Sequence, residues 1–456
     1  MLSRPELDEL TAQVSGPVLT PTDDNFAAEV SGFNLATRYE PDAAIGVTNE
    51  SDVVEVVRFA AKHHLPVRVL ATGHGPAEPV TDGLLIVTKR LDALAIDPDI
   101  RVATIGAGLK WEAVQAAAAP LGLTAITGSS PDVGAVGLTL GGGIGPLARS
   151  HGYTSDYAKS FRVVTGDGEA VTASAEENPD LFWALRGGKG GLGVVTELRI
   201  ELVPLPMIFA GAAIFDTEHI ETVLRGWIDW TASAPADVTT SVAIIRFPEF
   251  DVVPEPIRGH HGIAVRFAYA GDAGVGAELA APLRALAPSL VDMIGELPTS
   301  MMGLIHNDPT TPLPAWDLGM LLSSADQDLA TAILDHVGAG TTSPLMITEL
   351  RHLGGKAAVD VPEGSATGGR AGAFSLYTIG VPDPSLFETV LPAAAGALVA
   401  ALGPWVSPAA NVNFAGRFRS WEHFASAWPS DTFARLSAVK KRYDPRGLFT
   451  YGPQAG

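Results

Sequence analysis

The most informative single stretch of the sequence is Leu70-Ala71-Thr72-Gly73-His74-Gly75. Residues 67–70 have the composition of a short buried strand, and the glycines that follow predict a tight loop at its end. Before the strand, apolar residues recur at helical spacing over 53–61, and Leu65-Pro66 ends that predicted helix. The chain therefore presents one histidine in a glycine-containing loop at the end of a buried strand.

Working outward from this loop, the pattern alternates between short strands and helices. Further strands are predicted at 84–88, 102–105 and 193–203, and a helix at 111–119. One arm of a hairpin is predicted at 162–165, before the turn Gly166-Asp167-Gly168. Pro204-Leu205-Pro206 marks a domain boundary. Beyond this boundary, helices are mixed with candidate strands at 242–247, 262–268, 345–350 and 374–379.

Composition narrows the class of partner. The 456 residues include 30 Lys+Arg and 51 Asp+Glu, a formal net charge of -21. A surface this acidic repels phosphate backbones and anionic membranes, so we expect a small-molecule substrate and neither nucleic acid nor membrane as partner. The N-terminus lacks the apolar run of a secretory signal, and the apolar stretch 390–406 is too short to span a bilayer comfortably. A cytoplasmic enzyme is therefore predicted.

Metal and thiol chemistry find no support in the sequence. Cys is absent, which excludes disulfides, a thiolate nucleophile and cysteine-based metal sites. The pairs His63-His64 and His260-His261 are adjacent residues that point to different sides of an element, and neither has the spacing of metal ligands. No metal site is predicted.

The densest glycine cluster lies at 137–145, with the sequence GLTLGGGIG. Such a segment lets the backbone approach a ligand and direct N–H groups at a pyrophosphate, but alone it is equally typical of a simple turn. A dinucleotide-binding Rossmann fingerprint fits poorly, because no clean strand directly precedes the glycines. The segment RGGKGG at 186–191 is not a phosphate loop either, because no Gly-Lys-Ser/Thr follows.

The order of the motifs carries more information than any one of them. After 70–75 come GSSPDVG at 128–134, TLGGGIG at 139–145 and HGYTSD at 151–156. They are followed by VVTGDG at 163–168, DLFWALRGG at 180–188, GVVTE at 193–197 and KKRYDPRGLF at 440–449. This series closely resembles the FAD-linked oxidases of the vanillyl-alcohol-oxidase superfamily, in the berberine-bridge-enzyme-like branch. The resemblance is tight over residues 40–205, good over the last forty residues and weak between.

The resemblance implies an α+β fold with two domains. A two-part, PCMH-type FAD-binding domain would comprise 1–206 and 411–456. A substrate-binding domain at 207–410 would be built on an antiparallel sheet backed by helices. The break at Pro204-Leu205-Pro206 and the return of basic motifs after Asn411 agree with that division.

The resemblance also implies the cofactor and its contacts. His74 matches the histidine that bonds covalently to the flavin, through attack of a neutral imidazole nitrogen on the 8α-methyl carbon. Ser130 stands where many relatives have a cysteine that makes a second bond, so a single bond is expected. Val133 matches a position where valine leaves space for oxygen. The implied FAD contacts besides His74 are Leu70, Ala71, Thr72, Gly73, Gly75, Gly128, Ser129, Ser130, Val133, Gly134, Gly137, Leu140, Gly141, Gly142, Gly143, Gly145, Val194 and Asn413.

The chain departs from the family at the position of the usual proton acceptor. Asn411 stands where a tyrosine often acts as the base, and an amide cannot take a proton at neutral pH. Strand alternation over 345–352 places Glu349 on one face and His352 on the other, and Tyr377 lies on a second candidate strand. Each of these three is a candidate base, and a neutral amine substrate would need no strong base.

Taken together, the sequence predicts an FAD-dependent oxidase. It would transfer hydride from an alcohol, sugar or cyclic amine to flavin N5, with oxygen as acceptor and hydrogen peroxide as product. A dehydrogenase with another acceptor and a flavin-binding protein that has lost turnover are the alternatives. A monomer or homodimer is expected.

Overall fold

The loop at 70–75 belongs to a small sheet near the N-terminus. In the computed structural model, which describes residues 2–75, 78–251, 253–416 and 420–451, this sheet has four strands. They are β1 (Val18–Leu19), β2 (Ala43–Gly46), β3 (Val67–Leu70) and β4 (Leu84–Val87). Their order is β1-β2-β4-β3, and the last three run parallel. The accompanying helices are α1 (Arg4–Gln13), α2 (Phe26–Glu29) and α3 (Glu50–His63).

The helix predicted from residues 53–61 is α3, and its ends follow from local chemistry. The Asn49 side chain accepts a hydrogen bond from the Asp52 backbone N–H, which caps the first turn. His64 adopts a left-handed conformation with φ of 55° and ends the helix. The apolar face of α3 packs into the core that also holds β2, β3 and β4.

A second sheet of five strands follows in the chain. It comprises β5 (Leu94–Asp97), β6 (Val102–Gly106), β7 (Ala158–Val164), β8 (Ala170–Ser174) and β9 (Val194–Glu201), in the order β5-β6-β9-β7-β8. All its pairings are antiparallel, and β7 and β8 form the predicted hairpin. The helices of this region are α4 (Trp111–Ala118), α5 (Ala135–Leu140), α6 (Ala148–His151) and α7 (Pro179–Leu185).

The third sheet is the largest, with eight strands, all paired antiparallel. They are β10 (Met207–Phe215), β11 (Val238–Arg246), β12 (His261–Tyr269), β13 (Ser289–Asp292), β14 (Gly295–Pro298), β15 (Asp317–Leu322), β16 (Leu345–His352) and β17 (Phe374–Gly380). The order is β13-β10-β12-β11-β16-β17-β15, and β14 also pairs with β10.

Helices cover one face of this sheet and leave the other face toward the first two sheets. The covering helices are α8 (Ile220–Thr231), α9 (Ala273–Arg284), α10 (Gln327–Val337) and α11 (Val390–Leu402). Two last helices, α12 (Trp421–Ala425) and α13 (Ser430–Tyr443), return to the first core. The α+β class and the antiparallel sheet backed by helices are therefore confirmed.

Two hydrophobic cores divide the described chain along nearly the predicted lines. One core runs from Leu10 to Leu202 and takes in residues of the 412–449 region, and the other runs from Phe209 to Leu402. Ala366 is an exception, because it packs with the first core although it lies between β16 and β17. The boundaries at 206/207 and 410/411 stay a prediction.

The apolar stretch 390–406 forms α11 and a turn that begins at Gly403. Within the described ranges, no helix has the length and apolar content needed to cross a bilayer.

Candidate active site

The loop after β3 is fixed by close packing on two other segments. Gly73 has φ of 71°, and a Cβ there would lie 2.7 Å from the Cα of Gly32. The Thr72 hydroxyl accepts a hydrogen bond from the Gly134 N–H at 3.2 Å. Leu70 is buried in a small core beneath the loop. This packing holds His74 in one place relative to the 128–134 segment.

His74 is held by a ring and a carboxylate. Its imidazole stacks on Phe33, with ring centroids 3.8 Å apart and planes 15° apart. Its Nε2 lies 3.0 Å from Oδ2 of Asp132, and Lys110 pairs with the other carboxylate oxygen. Burial lowers the pKa of His74, and this outweighs the opposing effect of Asp132. The neutral ring that results, with Nε2 as the donor to Asp132, keeps the lone pair on Nδ1.

Asp132 and Lys110 were not assigned a role from the sequence. The one sequence signal for Asp132 is an acidic residue between Pro131 and Val133 in the 128–134 motif. No pattern in the sequence points to Lys110.

The glycine-rich segment at 137–145 begins within a helix and is not a simple turn. Residues 135–140 form α5, and the turn begins only at Gly141. Gly142 and Gly143 then have φ of 97° and 82°, a region that favours glycine. A Cβ at Gly141 would lie 2.1 Å from Oδ1 of Asn413, and one at Gly145 would lie 1.8 Å from the Thr127 carbonyl oxygen. Several of these glycines therefore serve close packing within the chain.

Asn413 and Lys189 hold the C-terminal region against this segment. The Asn413 amide donates to the Leu138 carbonyl at 2.9 Å. The Lys189 ammonium donates to the Gly137 carbonyl at 3.0 Å and to Oδ1 of Asn413 at 2.5 Å. Burial lowers the pKa of Lys189 to about 8. Lys189 was missed as a site residue, although its setting in GGKGG is unusual.

The structure brings most of the implied cofactor residues together on the loop at 71–75, the segments 128–134 and 137–145, and Asn413. Val194 is the exception. It is 0% exposed, pairs with Val164 in the sheet and packs in the first core, so it offers no surface to a ligand. Its assignment as an FAD contact is wrong.

Facing these loops is the uncovered face of the eight-stranded sheet, where Glu349 lies. Oε1 of Glu349 accepts from Arg266 Nη1 and from Ser241 Oγ, both at 2.7 Å. Oε2 accepts from Arg351 Nε at 2.8 Å. The two guanidinium groups hold the pKa of Glu349 well below its ordinary value, despite its burial. Such a carboxylate is a poor proton acceptor, so the prediction of Glu349 as the base is wrong.

His352 lies on the opposite face. It stacks on Phe374, with ring centroids 5.0 Å apart, on the side of the sheet that the helices cover. Its Nε2 is 3.1 Å from Nη1 of Arg149, so it accepts a hydrogen bond there. Burial, and then the charge of Arg149, lowers the pKa of His352 to about 3. The structure therefore removes His352 from the candidate bases.

Tyr377 remains a candidate and gains a partner. It lies opposite Glu349 in the pairing of β16 with β17, so both side chains share the uncovered face. Its hydroxyl donates to Oδ2 of Asp317, and its ring meets Phe414 edge-on at 5.2 Å. Burial raises the pKa of Asp317, and burial also raises that of Tyr377 well above its ordinary value. Asp317 opens β15, a strand that the sequence did not reveal.

The two sets of residues meet through Arg351. Its Nη2 lies 3.4 Å from Oγ of Ser129, and its guanidinium carbon lies 4.8 Å from the ring centre of Phe414. The glycine-containing loops and the polar face of the large sheet therefore form one site. In the part of the chain that the structure describes, no group of three or more acidic or histidine side chains could hold a metal ion.

Comparison with known proteins gives a family for the part of the chain that carries the glycine-containing loops. Residues 41–174 match the protein family described as an FAD binding domain. An FAD-binding domain is therefore indicated for this part of the chain. Its residues 70–75 and 128–145 include most of the cofactor contacts implied by the sequence.

Full-length similarity to solved structures extends beyond the FAD-binding domain. 6-Hydroxy-D-nicotine oxidase from Arthrobacter nicotinovorans has a TM-score of 0.83 at 22% identity, covering 100% of both chains. Glucooligosaccharide oxidase from Acremonium strictum, described with a 6-S-cysteinyl, 8α-N1-histidyl FAD, has a TM-score of 0.81 at 19% identity, covering 98% of each chain. The chain therefore shares the overall fold of these two oxidases.

Sequence similarity to curated proteins covers less. (R)-6-Hydroxynicotine oxidase from Paenarthrobacter nicotinovorans is 32% identical over 222 residues, which is 48% of this chain and 45% of that protein. The chain spans about half the length of the curated relatives that it matches.

The residues of the FAD-binding domain fit that cofactor. A Cβ at Gly75 or at Gly137 would meet nothing within 4 Å, so the backbone is open to a ligand at both positions. Oγ of Ser130 is buried and has no hydrogen-bond partner among the described residues, which leaves it free for a cofactor atom.

Proposed function

We propose that this chain is an FAD-dependent oxidase that removes hydride from an alcohol, sugar or cyclic amine and passes the electrons to oxygen, with hydrogen peroxide as product. The observation that carries the proposal is the meeting of the FAD-binding loops with the polar face of the large sheet. Arg351 joins them, 3.4 Å from Ser129 on one side and bonded to Glu349 on the other. A substrate between them would face both the cofactor loops and Tyr377.

FAD would be held by one covalent bond, through His74. A neutral imidazole with a free lone pair on Nδ1 is the form that can act as a nucleophile. The histidyl FAD of the related glucooligosaccharide oxidase supports this assignment. Ser130 has no thiol to offer, so the cysteinyl bond of that relative has no counterpart here.

When bound, FAD supplies the hydride acceptor and the route to oxygen, which no side chain provides. The protein residues orient the substrate and handle the proton. With an alcohol or sugar, the oxygen of Tyr377 takes the hydroxyl proton while the proton of Tyr377 passes to Asp317. This transfer forms no tyrosinate, which the raised pKa of Tyr377 disfavours. Val133, partly exposed beside Asp132, would leave space for oxygen.

The first experiment is the visible spectrum of the purified protein before and after acid precipitation and washing. Yellow colour that stays with the pellet is expected, and a His74→Ala variant should release it to the supernatant. Colour lost from the wild-type pellet would contradict the covalent bond but not FAD binding. A colourless protein that cannot be reconstituted with FAD would contradict the proposed function.

Oxygen as acceptor needs a separate measurement. A panel of alcohols, sugars and cyclic amines should include one that bleaches the flavin anaerobically, and the same compound should then drive oxygen consumption. Bleaching without oxygen consumption, but with reduction of an artificial dye, would show a dehydrogenase instead.

A further inference from the structure

The uncovered face of the large sheet carries more charged residues than the proton transfer requires. We define the arginine cluster as Arg266, Arg351, Glu349, His306 and Ser241. Arg266 and Ser241 lie on neighbouring strands directly opposite each other, and Ser241 also lies opposite Arg351. His306 comes from the segment after a short 3-10 helix (Thr299–Ile305), and its Nε2 lies 3.3 Å from Oε1 of Glu349. The cluster therefore joins three strands and the segment after the 3-10 helix, beside the glycine-containing loops.

The charges in the arginine cluster do not balance. Two guanidinium groups share one carboxylate, since the other buried carboxylate on this face, Asp317, bonds to the Tyr377 hydroxyl instead. One positive charge of the cluster is therefore in excess. His306 adds none, because burial and the two arginines lower its pKa. Arg266 and Arg351 are 6% and 8% exposed, so solvent does little to compensate the excess. Buried charges in proteins are normally paired, and an unpaired one is costly. This excess sits in a chain whose formal net charge is -21.

Polar atoms around the cluster also lack partners. Nδ1 of His306 and Oγ of Ser375 are buried and form no hydrogen bond within the described residues. Ser375 lies opposite Arg351 in the pairing of β16 with β17, so its side chain shares the uncovered face. Ser241, Arg266, His306 and Arg351 line one cavity. Buried groups without partners are rare in folded proteins, and here they surround the excess positive charge.

We propose that the arginine cluster binds a carboxylate group of the substrate, so that this enzyme acts on acids. A carboxylate would neutralise the excess charge and accept from arginine donors, whose planar geometry suits a two-oxygen anion. Glu349 is then a positioning residue that keeps both guanidinium groups on this face. The inference rests on the proposed function, because it names the substrate class of the same site.

The test uses the purified holoprotein and isothermal titration calorimetry with benzoate as the probe and benzamide as its neutral match. Benzoate should bind at least tenfold more tightly than benzamide. Arg266→Gln should remove most of that preference, whereas Arg266→Lys should keep part of it. Arg246→Gln is the matched control, since Arg246 lies at the end of β11 and bonds to Thr341 outside the cluster. It should leave the preference unchanged.

Glu349→Gln keeps the shape of the cluster and removes its only negative charge, so it should preserve or strengthen benzoate binding. This variant keeps the proposal testable if Arg266→Gln does not fold. Equal affinity for benzoate and benzamide, absence of benzoate binding, or equal losses in Arg266→Gln and Arg246→Gln would overturn the proposal. Calorimetry needs no turnover. If the purified protein carries no flavin but still binds benzoate, the proposed function fails while the carboxylate proposal stands.

Discussion

At the scale of single residues, the environment of His74 shows how a neighbour sets the chemistry of an imidazole. Asp132 accepts from Nε2, Phe33 fixes the plane of the ring, and burial keeps the ring neutral. Without the carboxylate, the proton could sit on either nitrogen, and Nδ1 would be a free nucleophile only part of the time.

We therefore expect Asp132→Ala to slow the proposed covalent attachment of FAD several-fold. Asp132→Asn, whose amide oxygen can still accept from Nε2, should be less impaired. The measurement is the flavin absorbance retained after acid precipitation, followed over time as apoprotein is incubated with FAD. Asp92→Ala, at an exposed position, serves as the control. Equal attachment rates in the Asp132→Ala and control proteins would contradict the role of Asp132.

At the scale of secondary structure, α11 is an apolar helix with a weak point at its centre. Gly396 lies on its exposed side, and a Cβ there would meet nothing within 4 Å. Glycine within a helix costs about 0.5–1 kcal/mol relative to alanine.

Gly396→Ala should therefore raise the free energy of unfolding by up to about 1 kcal/mol, measured by urea denaturation followed by circular dichroism. Gly226→Ala in α8 is the comparison, because its Cβ would lie 2.4 Å from Cδ2 of Leu286. That side chain must move, so the gain should be smaller or reversed. A gain at Gly226 as large as that at Gly396 would contradict this reasoning.

Elements near the glycine motifs were predictable, whereas several strands of the large sheet were not. α3, β3 and the hairpin of β7 with β8 follow from periodicity and turn residues. β10 is missed because Met207–Phe215 is buried along nearly its whole length and shows no alternation. β15 is missed because its first residue, Asp317, and Gly319 make it look like a loop.

The site shows the same division between local and long-range information. The loop that carries His74 was predictable, because its glycines are local in sequence. Arg266 and His306 were not, since their roles depend on register between strands far apart in the chain. The same dependence explains the error for Glu349, because its partner Arg266 lies on a strand far away in the chain. His352 was misjudged because alternation separates two faces but does not say which one the helices cover.

At the scale of the whole molecule, buried histidines link stability to pH. Burial lowers the pKa of five of them, namely His74, His151, His261, His306 and His352. The unfolded chain takes up protons below pH 6.5 at positions that the folded chain keeps neutral. Stability should therefore fall as the pH falls below 6.5, by up to about 1.4 kcal/mol per pH unit for each such group.

His352→Gln should flatten this dependence between pH 6.5 and 5, because glutamine can still accept from Arg149 but does not titrate. The measurement is the free energy of unfolding in urea at each pH. Between pH 7.5 and 8.5, variant and wild type should run parallel. An unchanged slope below pH 6.5 would show that His352 takes up its proton in the folded state.

The core that holds α3 and β3 is closed by two distant parts of the chain. Phe449 bridges to Val67, the Leu448 carbonyl accepts from the Val67 N–H at 2.8 Å, and α13 packs into the same core as α3. During synthesis, the ribosome makes the whole eight-stranded sheet between these two parts. The loop carrying His74 therefore waits for α13 before its core is complete, and we expect nascent chains to capture FAD only after that helix has emerged.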